Sequence, residues 1–251
     1  MVFSSIRHDQ GWLDFDHDGP LLQHNRSNIL WIYDDFGEDY SYYFCQNRDF
    51  SIEEAVVSLV DYVRISMGLT HEECTSIGMS KGGSAAIRIG IRANMKNIVA
   101  LGPQIAIGAY LANRKRTATM EYMAGSSAEQ DVAWLNDLVP AAIRDDSSTD
   151  RHIYIVTSPY DPHCIDYLDP LLINLRRYGN FNLISTASNL ARNHTNTLLY
   201  NIPLVVSLLG ILAEGLQPRF GETSNGSGYD GSGHRDRHLK LHKRHGGVLD
   251  G

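Results

Sequence analysis

The sequence has few of the features that mark secreted or disulfide-stabilised proteins. Only three of its 251 residues are cysteines, and no two of them are spaced as CxxC. A disulfide framework is therefore not expected, and a reducing cytoplasm is the predicted setting. The first twenty residues carry acidic side chains and no long apolar run, so they do not have the pattern of a secretory signal.

Long apolar runs and an excess of positive charge are also missing. The longest apolar stretch, residues 202–212, is too short to cross a hydrocarbon core of ~30 Å, so a core-facing helix and no membrane span are predicted. The net charge is −7, from 22 basic and 29 acidic residues. This acidic balance gives no electrostatic reason to expect a nucleic acid as a partner.

Short apolar runs alternate with helical patterns along most of the chain. Runs typical of buried strands occupy residues 28–33, 73–78, 97–101, 151–157 and 181–186. Helical patterns occupy residues 51–68, where Ser51 and Glu54 form a capping-box pattern and Gly68 is a stop signal, and residues 82–93, 167–178 and 197–216. The aromatic segment 40–45 is either a strand or packing beneath a loop. The alternation predicts an α/β fold, a mostly parallel sheet with helices on both faces.

Three segments do not follow that alternation. Residues 1–28 are polar and mixed, which indicates short edge strands or an irregular cap. Residues 103–150 are less regular, with a helical stretch near 131–138 and a basic cluster at residues 114–116, and they are a candidate lid or insertion. Residues 217–251 are rich in glycine and histidine and poor in aliphatic side chains, so a disordered C-terminal tail is predicted after a single domain over 1–216.

The strongest local motif is Gly78-Met79-Ser80-Lys81-Gly82, a G-x-S-x-G pattern between a predicted strand and a helix of small residues. A nucleophile elbow has this pattern because the strained strand-to-helix turn leaves no room for side chains beside the serine. Ser80 is the predicted nucleophile, and the N–H of Lys81 is one predicted oxyanion donor. The alternative is a glycine-rich turn with an incidental serine. A phosphate-binding loop fits poorly, because G-x-x-x-x-G-K-[ST] is absent.

A serine nucleophile needs a general base and an acid that orients the base, which in this fold class follow in the order Ser, Asp or Glu, His. Asp161 comes just after the predicted strand 151–157 and is the first candidate for the acid, with Asp166 and then Asp169 in reserve. His194 follows the strand 181–186 and precedes the last helix, so it is the predicted base. The alternatives are a turn-capping aspartate and a helix-capping histidine.

The rest of the site is less determined by the sequence. The second oxyanion donor is expected in the loop after the first apolar strand, at the N–H of Asp35 or Phe36, since no HGGG run is present. The Lys81 side chain is expected to be solvated or to meet an anionic substrate. Cys164 could be a nucleophile in principle, but nothing near it in the sequence resembles a base-activated site. The tail histidines indicate a basic solvated tail, so neither a metal nor a cofactor is predicted; they are His234, His238, His242 and His245.

Three short motifs resemble those of known proteins: residues 78–83 (GMSKGG), residues 158–161 (SPYD) and the pair Asn193-His194. Together they resemble a bacterial branch of the α/β-hydrolase superfamily. Similar members are the accessory Sec-system component that O-acetylates carbohydrate on exported adhesins, and the XcbB/CpsF capsular-polysaccharide biosynthesis family. The resemblance covers roughly residues 28–216. It implies a Ser80, Asp161 and His194 triad and a glycan to which acyl groups are added or from which they are removed.

The sequence is therefore compatible with two classes of function. The first is serine-dependent acyl transfer through an acyl-Ser80 intermediate, on a small-molecule or carbohydrate acyl substrate. Water as the acceptor makes the protein an esterase, and a sugar hydroxyl makes it an O-acyltransferase. The second is a non-catalytic hydrolase-fold scaffold with a protein partner in a secretion or capsule complex.

Overall fold

A computed structural model describes residues 1–6, 26–37, 40–161 and 166–225. Within these ranges seven strands form one sheet in the order β2-β1-β3-β4-β5-β6-β7, and every neighbouring pair is parallel. The strands are β1 (Val2–Phe3), β2 (Trp31–Ile32), β3 (Thr75–Met79), β4 (Asn97–Leu101), β5 (His152–Thr157), β6 (Asn180–Thr186) and β7 (Glu222–Asn225). All carboxyl ends of the strands therefore lie at one edge of the sheet.

Helices connect most of these strands. They are α1 (Ser51–Ser66), α2 (Lys81–Arg92), α3 (Ile107–Asn113), α4 (Thr117–Ala124), α5 (Glu129–Asp145), α6 (Leu172–Leu175) and α7 (His194–Ala213), with a 3₁₀ turn at Asp169–Leu171. The predicted α/β class with a parallel sheet is confirmed.

Each face of the sheet has its own core. In β4, Ile98 and Ala100 join the cluster under α1 to α6, whereas Val99 and Leu101 join the cluster under α7. This division follows from the period of two along a strand, which directs alternate side chains to opposite faces. Because both faces are covered, β4 is apolar at nearly every position, as its sequence predicted.

The two ends of the sheet differ from the sequence-based expectation. Strand β1 lies between β2 and β3 rather than at an edge, and β2, predicted as a buried strand, is the edge strand. At the other end, β7 contradicts the prediction of disorder from residue 217 onward. This polar strand is held by backbone pairing to β6, and Asn182 Oδ1 accepts from the N–H groups of Phe220 and Gly221. Composition did not indicate β7, because pairing rather than apolar burial stabilises it. The rest of the predicted tail, residues 226–251, lies outside the described residues.

Among the local predictions, two were wrong and two are confirmed. The capping box of α1 does not form, because Phe50 takes the N-cap position and Asp49 Oδ1 accepts from the Ser51 N–H. Gly68 ends the helix at φ +68°, as predicted. Segment 167–178 is not one helix: residues 167–168 are helical, and the 3₁₀ turn and the short α6 follow. Pro170, which lacks an N–H, lies inside the 3₁₀ turn. In segment 40–45 the packing alternative is correct, since residues 42–45 are fully buried outside any strand.

Residues 103–150 contain three helices, α3 to α5, whose inner side chains belong to the main core. Leu111, Met123 and Leu135 from these helices are fully buried. The helical stretch predicted near residues 131–138 lies within α5. The division into one domain over 1–216 and a lid over 103–150 stays a prediction.

Helix α7 begins at His194, three residues earlier than predicted, and is longer than the apolar run on which the length argument rested. At ~1.5 Å per residue its 20 residues extend ~30 Å. Among the described helices it alone is long and apolar enough, by length and composition, to cross a membrane. Val205, Leu208 and Leu212 pack against the sheet, whereas Leu199 and Tyr200 are exposed.

Candidate active site

Ser80 occupies a tight turn between β3 and α2 at the carboxyl edge of the sheet. Its backbone has φ 55° and ψ −118°, a left-handed conformation that costs a non-glycine residue ~1–3 kcal/mol. The turn is held because the Ser80 N–H donates to the Leu101 carbonyl oxygen at 2.9 Å. A Cβ at Gly78 would lie 2.1 Å from the Gly82 carbonyl oxygen, and a Cβ at Gly82 would lie 2.0 Å from that of Phe3. The two motif glycines are therefore required by close backbone approach.

The structure brings together the three side chains that the sequence predicted as a triad. His194 Nε2 lies 2.8 Å from Ser80 Oγ, and His194 Nδ1 lies 2.6 Å from Asp161 Oδ2. Asp161 and Ser80 are buried, and His194 is partly buried. A carboxylate at Nδ1 favours the tautomer with its proton on that nitrogen, which leaves Nε2 to accept the serine proton.

Sheet topology explains how residues far apart in the chain meet here. Ser80 follows β3, Asp161 follows β5, and His194 follows β6 as the first residue of α7. Asn193 is the N-cap of α7, and its side chain accepts from the Asn196 N–H at 2.9 Å, which fixes the backbone beside the histidine. Capping, the alternative weighed for His194, is thus performed by its neighbour.

The competing candidates do not form these contacts. Asp166 is exposed, and Asp169 begins the 3₁₀ turn; the contact with His194 Nδ1 comes from Asp161. Cys164 lies outside the described residues, as do the tail histidines. Cys45 and Cys74 are free thiols in the interior, and burial raises the pKa of both, that of Cys45 to about 12, so neither is an activated nucleophile.

The Lys81 side chain contradicts the expectation that it is solvated or faces an anionic substrate. It is fully buried, with Nζ 2.8 Å from Asp34 Oδ2 and 4.4 Å from the centre of the Tyr43 ring. A buried ammonium group requires a carboxylate partner, and Asp34 supplies it from the loop after β2. The strained backbone at Ser80 directs the Lys81 side chain into the protein. The linear motif does not show this direction.

Asp34 also organises its own loop. Its carboxylate accepts from the Ser41 N–H at 3.1 Å, the Ser41 hydroxyl at 2.5 Å and the Tyr42 N–H at 2.9 Å. Together with Lys81, these donors satisfy a carboxylate that is almost completely buried. The ion pair therefore joins the residue after Ser80 to the segment that carries Tyr42.

Gln104 is the residue at Ser80 that sequence reasoning missed. Its Nε2 donates to Ser80 Oγ at 2.8 Å, and its Oε1 accepts from the Tyr42 hydroxyl at 2.6 Å. Its carbonyl oxygen accepts from Ser84 Oγ at 2.7 Å, and the residue is buried. No motif contains Gln104. The available signal was its position in the loop after β4, since ligands of parallel sheets bind at the carboxyl ends of the strands.

The two predicted oxyanion donors have different surroundings. Lys81 is the first residue of α2, where backbone N–H groups favour negative charge. Phe36 is exposed, and its carbonyl oxygen accepts from the Tyr122 hydroxyl at 2.7 Å, so its loop is attached to α4. Burial raises the pKa of Tyr122 above its ordinary value. The oxyanion roles of Lys81, Phe36 and Asp35 stay predictions.

No group of three or more potential metal ligands occurs in the part of the chain that the structure describes. The absence of a metal and of a cofactor stays a prediction. The side chains around Ser80 are of the kinds that act as a nucleophile and a general base.

No protein-family model matches the chain, and no curated protein matches it in sequence. Solved structures do share its fold. A capsule O-acetyltransferase of Neisseria meningitidis serogroup A, in complex with caged gadolinium, aligns with a TM-score of 0.65 and 18% identity, over 83% of this chain and 85% of that chain. This chain has the fold of a capsule O-acetyltransferase. A mutant of that enzyme in complex with CoA aligns with a TM-score of 0.54 and 20% identity, over 68% of each chain.

Proposed function

We propose that the protein is an O-acyltransferase of surface-glycan or capsule biosynthesis, which works through an acyl-Ser80 intermediate. The observation that supports this most is the chain of hydrogen bonds from Asp161 through His194 to Ser80 on a strained turn. The fold shared with a capsule O-acetyltransferase supports the substrate class. The serine elbow and the Ser, Asp, His order further suggest a variant of the α/β-hydrolase fold.

The first half of the reaction acylates the enzyme. Ser80 Oγ attacks the carbonyl carbon of the acyl donor while His194 Nε2 takes the serine proton. The carbonyl electron pair moves to oxygen and forms a tetrahedral oxyanion, which the N–H groups beside the helix start stabilise. When the pair returns, the bond to the leaving group breaks, and His194 gives that group its proton.

The second half transfers the acyl group. A sugar hydroxyl attacks the acyl-Ser80 carbonyl and loses its proton to His194, and the resulting intermediate releases Ser80 Oγ, which recovers that proton. Asp161 accepts from His194 Nδ1 and holds the histidine ring through both halves. Water in place of the sugar hydroxyl gives hydrolysis with the same residues. Because a structural neighbour was solved with CoA, we propose an acyl-CoA thioester as the donor.

The test uses intact-mass measurement after treatment with a fluorophosphonate, which phosphonylates activated serines. We expect stoichiometric labelling of the wild type and none of Ser80→Ala or His194→Ala. The matched controls are Ser76→Ala and His152→Ala. Ser76 is a buried serine in β3 whose hydroxyl donates to the Ala86 carbonyl oxygen, and His152 begins β5 at the opposite edge of the sheet. Both controls should label like the wild type.

A second step separates the acceptors. Incubation with acetyl-CoA should add one acetyl group to Ser80, and a capsular oligosaccharide should then remove it faster than water does. Removal by water at the same rate would support an esterase instead. If folded wild type is neither labelled nor acetylated, the acyl-enzyme proposal is wrong, and the scaffold hypothesis takes its place.

A further inference from the structure

We propose that the side-chain amide of Gln104 is a catalytic oxyanion donor for acyl transfer at Ser80. This inference rests on the proposed function, because it assigns a role in the same reaction. It replaces the second backbone N–H that the sequence predicted in the loop after β2 with a side-chain N–H from the loop after β4.

The contact that supports this is the one between Gln104 Nε2 and Ser80 Oγ, at 2.8 Å. In the tetrahedral intermediate, the oxyanion and Oγ are bonded to the same carbon atom. A donor already in contact with Oγ therefore needs only a small shift to reach the oxyanion, for which distances of about 2.7–3.1 Å are typical. The amide has two N–H bonds, so it can serve both oxygens.

The orientation of the amide follows from its two neighbours. Ser80 has one hydroxyl proton, and His194 Nε2 at 2.8 Å is the base that receives it. The group that meets the remaining lone pairs of Oγ must then be a donor, which assigns that contact to Nε2 of Gln104. The Tyr42 hydroxyl donates to Oε1 on the other side and completes the assignment.

The amide is held in place before any substrate arrives. Tyr42 is fully buried, and its N–H is bound by Asp34, whose carboxylate is paired with Lys81. The series of contacts thus begins at the residue after Ser80 and returns to Ser80 through Gln104. A preorganised donor in a buried site needs no reorganisation during the reaction, and charge interactions are stronger where water is excluded.

Two substitutions at Gln104 test the role directly, with p-nitrophenyl acetate as the probe of acyl-enzyme formation. Gln104→Ala should lower kcat by about 10²–10³-fold with KM changed only a few-fold, because the interaction is made in the transition state. Gln104→Glu has nearly the same shape but no N–H donor. Because burial raises the pKa of a carboxyl, the assay is run at a pH high enough to ionise it, where the negative charge beside Oγ should make the loss in kcat at least as large.

Tyr42→Phe keeps the packing and removes only the hydroxyl that orients the amide. We expect kcat to fall about tenfold and the melting temperature to change by only a few degrees. The matched control is Tyr154→Phe, which also removes one buried hydroxyl, bound to the Pro218 carbonyl oxygen at 2.9 Å, and should keep wild-type kcat.

An independent readout is the affinity for phenylboronic acid, which forms a tetrahedral adduct with an activated serine. It should weaken in Gln104→Ala by a factor similar to the loss in kcat. If wild type is active and Ser80→Ala is not, but folded Gln104→Ala keeps kcat and boronate affinity within threefold, this inference is wrong and the proposed function stands. If Gln104→Ala does not fold, Gln104→Glu and Tyr42→Phe decide the matter. An inactive, unlabelled wild type overturns both proposals.

Discussion

Two buried ion pairs lie at opposite edges of the sheet. Asp34 and Lys81 meet at the carboxyl edge with 2.8 Å between Oδ2 and Nζ, and Asp146 and Arg151 meet at the amino edge with 2.6 Å between Oδ2 and Nε. All four side chains are almost completely buried. Burial and charge are the same in the two pairs, so any difference in their consequences comes from what else each pair binds.

The arginine pair joins parts of the scaffold. Arg151 forms two hydrogen bonds to Asp146 and donates to the Met95 carbonyl oxygen, while the Tyr178 hydroxyl also binds Asp146. The fork of the guanidinium matches a carboxylate and a carbonyl at once. This pair therefore connects the end of α5 to the starts of β5 and β6.

The lysine pair joins parts of the candidate site. Lysine presents a compact charge, so the Asp34 oxygens remain available for the N–H groups of Ser41 and Tyr42. Through Tyr42 the pair positions Gln104 beside Ser80. The comparison leads us to expect that a buried ion pair in this protein affects activity only where its remaining hydrogen bonds lead to Ser80.

The largest expected effect comes from removing one cation. Lys81→Met and Arg151→Met should each lower the free energy of unfolding by about 3–5 kcal/mol, because each leaves a carboxylate buried without its counter-charge. Only Lys81→Met should also lower kcat of the folded protein, by about tenfold or more. Urea unfolding and steady-state kinetics under folding conditions measure the two effects. Equal loss of kcat in both variants would contradict the proposed division.

Replacing both partners with apolar side chains sharpens the comparison. Asp34→Leu combined with Lys81→Met should recover much of the about 3–5 kcal/mol that Lys81→Met alone loses, since no unpaired charge is left buried. Activity should not recover, because the N–H groups of Ser41 and Tyr42 lose their acceptor. The matched pair Asp146→Leu with Arg151→Met should retain wild-type kcat. Recovery of activity in the first double variant would show that Asp34 does not position Tyr42.

A smaller effect is expected from acid. Burial by itself raises the pKa of Asp146, but hydrogen bonds from Arg151, Ser148 and Tyr178 outweigh it and hold the pKa below the ordinary value of 3.8. A carboxyl whose pKa is lower in the folded state stabilises the protein above the unfolded-state pKa, and this contribution is lost as the pH falls through the folded-state pKa. Below about pH 3.8 the free energies of unfolding of wild type and Asp146→Asn should therefore become more similar. Urea unfolding at several pH values measures this difference.

The smallest expected effects come from single hydroxyl groups. Tyr122→Phe removes the donor to the Phe36 carbonyl oxygen, and Tyr178→Phe removes a donor to Asp146. Each should cost about 1 kcal/mol of stability, the usual net value of one hydrogen bond. Of the two tyrosines only Tyr122, in α4, contacts the Phe36 loop beside the site, so only Tyr122→Phe should lower kcat/KM, by a factor of about two to five. An unchanged kcat/KM would mean that this loop does not need the Tyr122 contact.

The sequence by itself determined the features whose signals are local. The run at residues 97–101 predicts β4 because a strand covered on both faces must be apolar throughout. The glycines around Ser80 predict the turn because side chains there would collide with the backbone. The order of Ser80, Asp161 and His194 predicts their meeting, since parallel strands bring their carboxyl ends to one edge. Their catalytic role stays a prediction.

Only the tertiary structure decided the features that depend on distant partners. Lys81 and Asp34 are 47 positions apart, and Gln104 and Tyr42 are 62 apart, so no local pattern relates them. Strand β7 is polar and is stabilised by pairing with β6, which composition cannot show. The partner of a side chain depends on where the fold directs it. The charge of Lys81 by itself predicts a side chain in solvent, but after the strained turn at Ser80 the side chain points into the protein and meets Asp34.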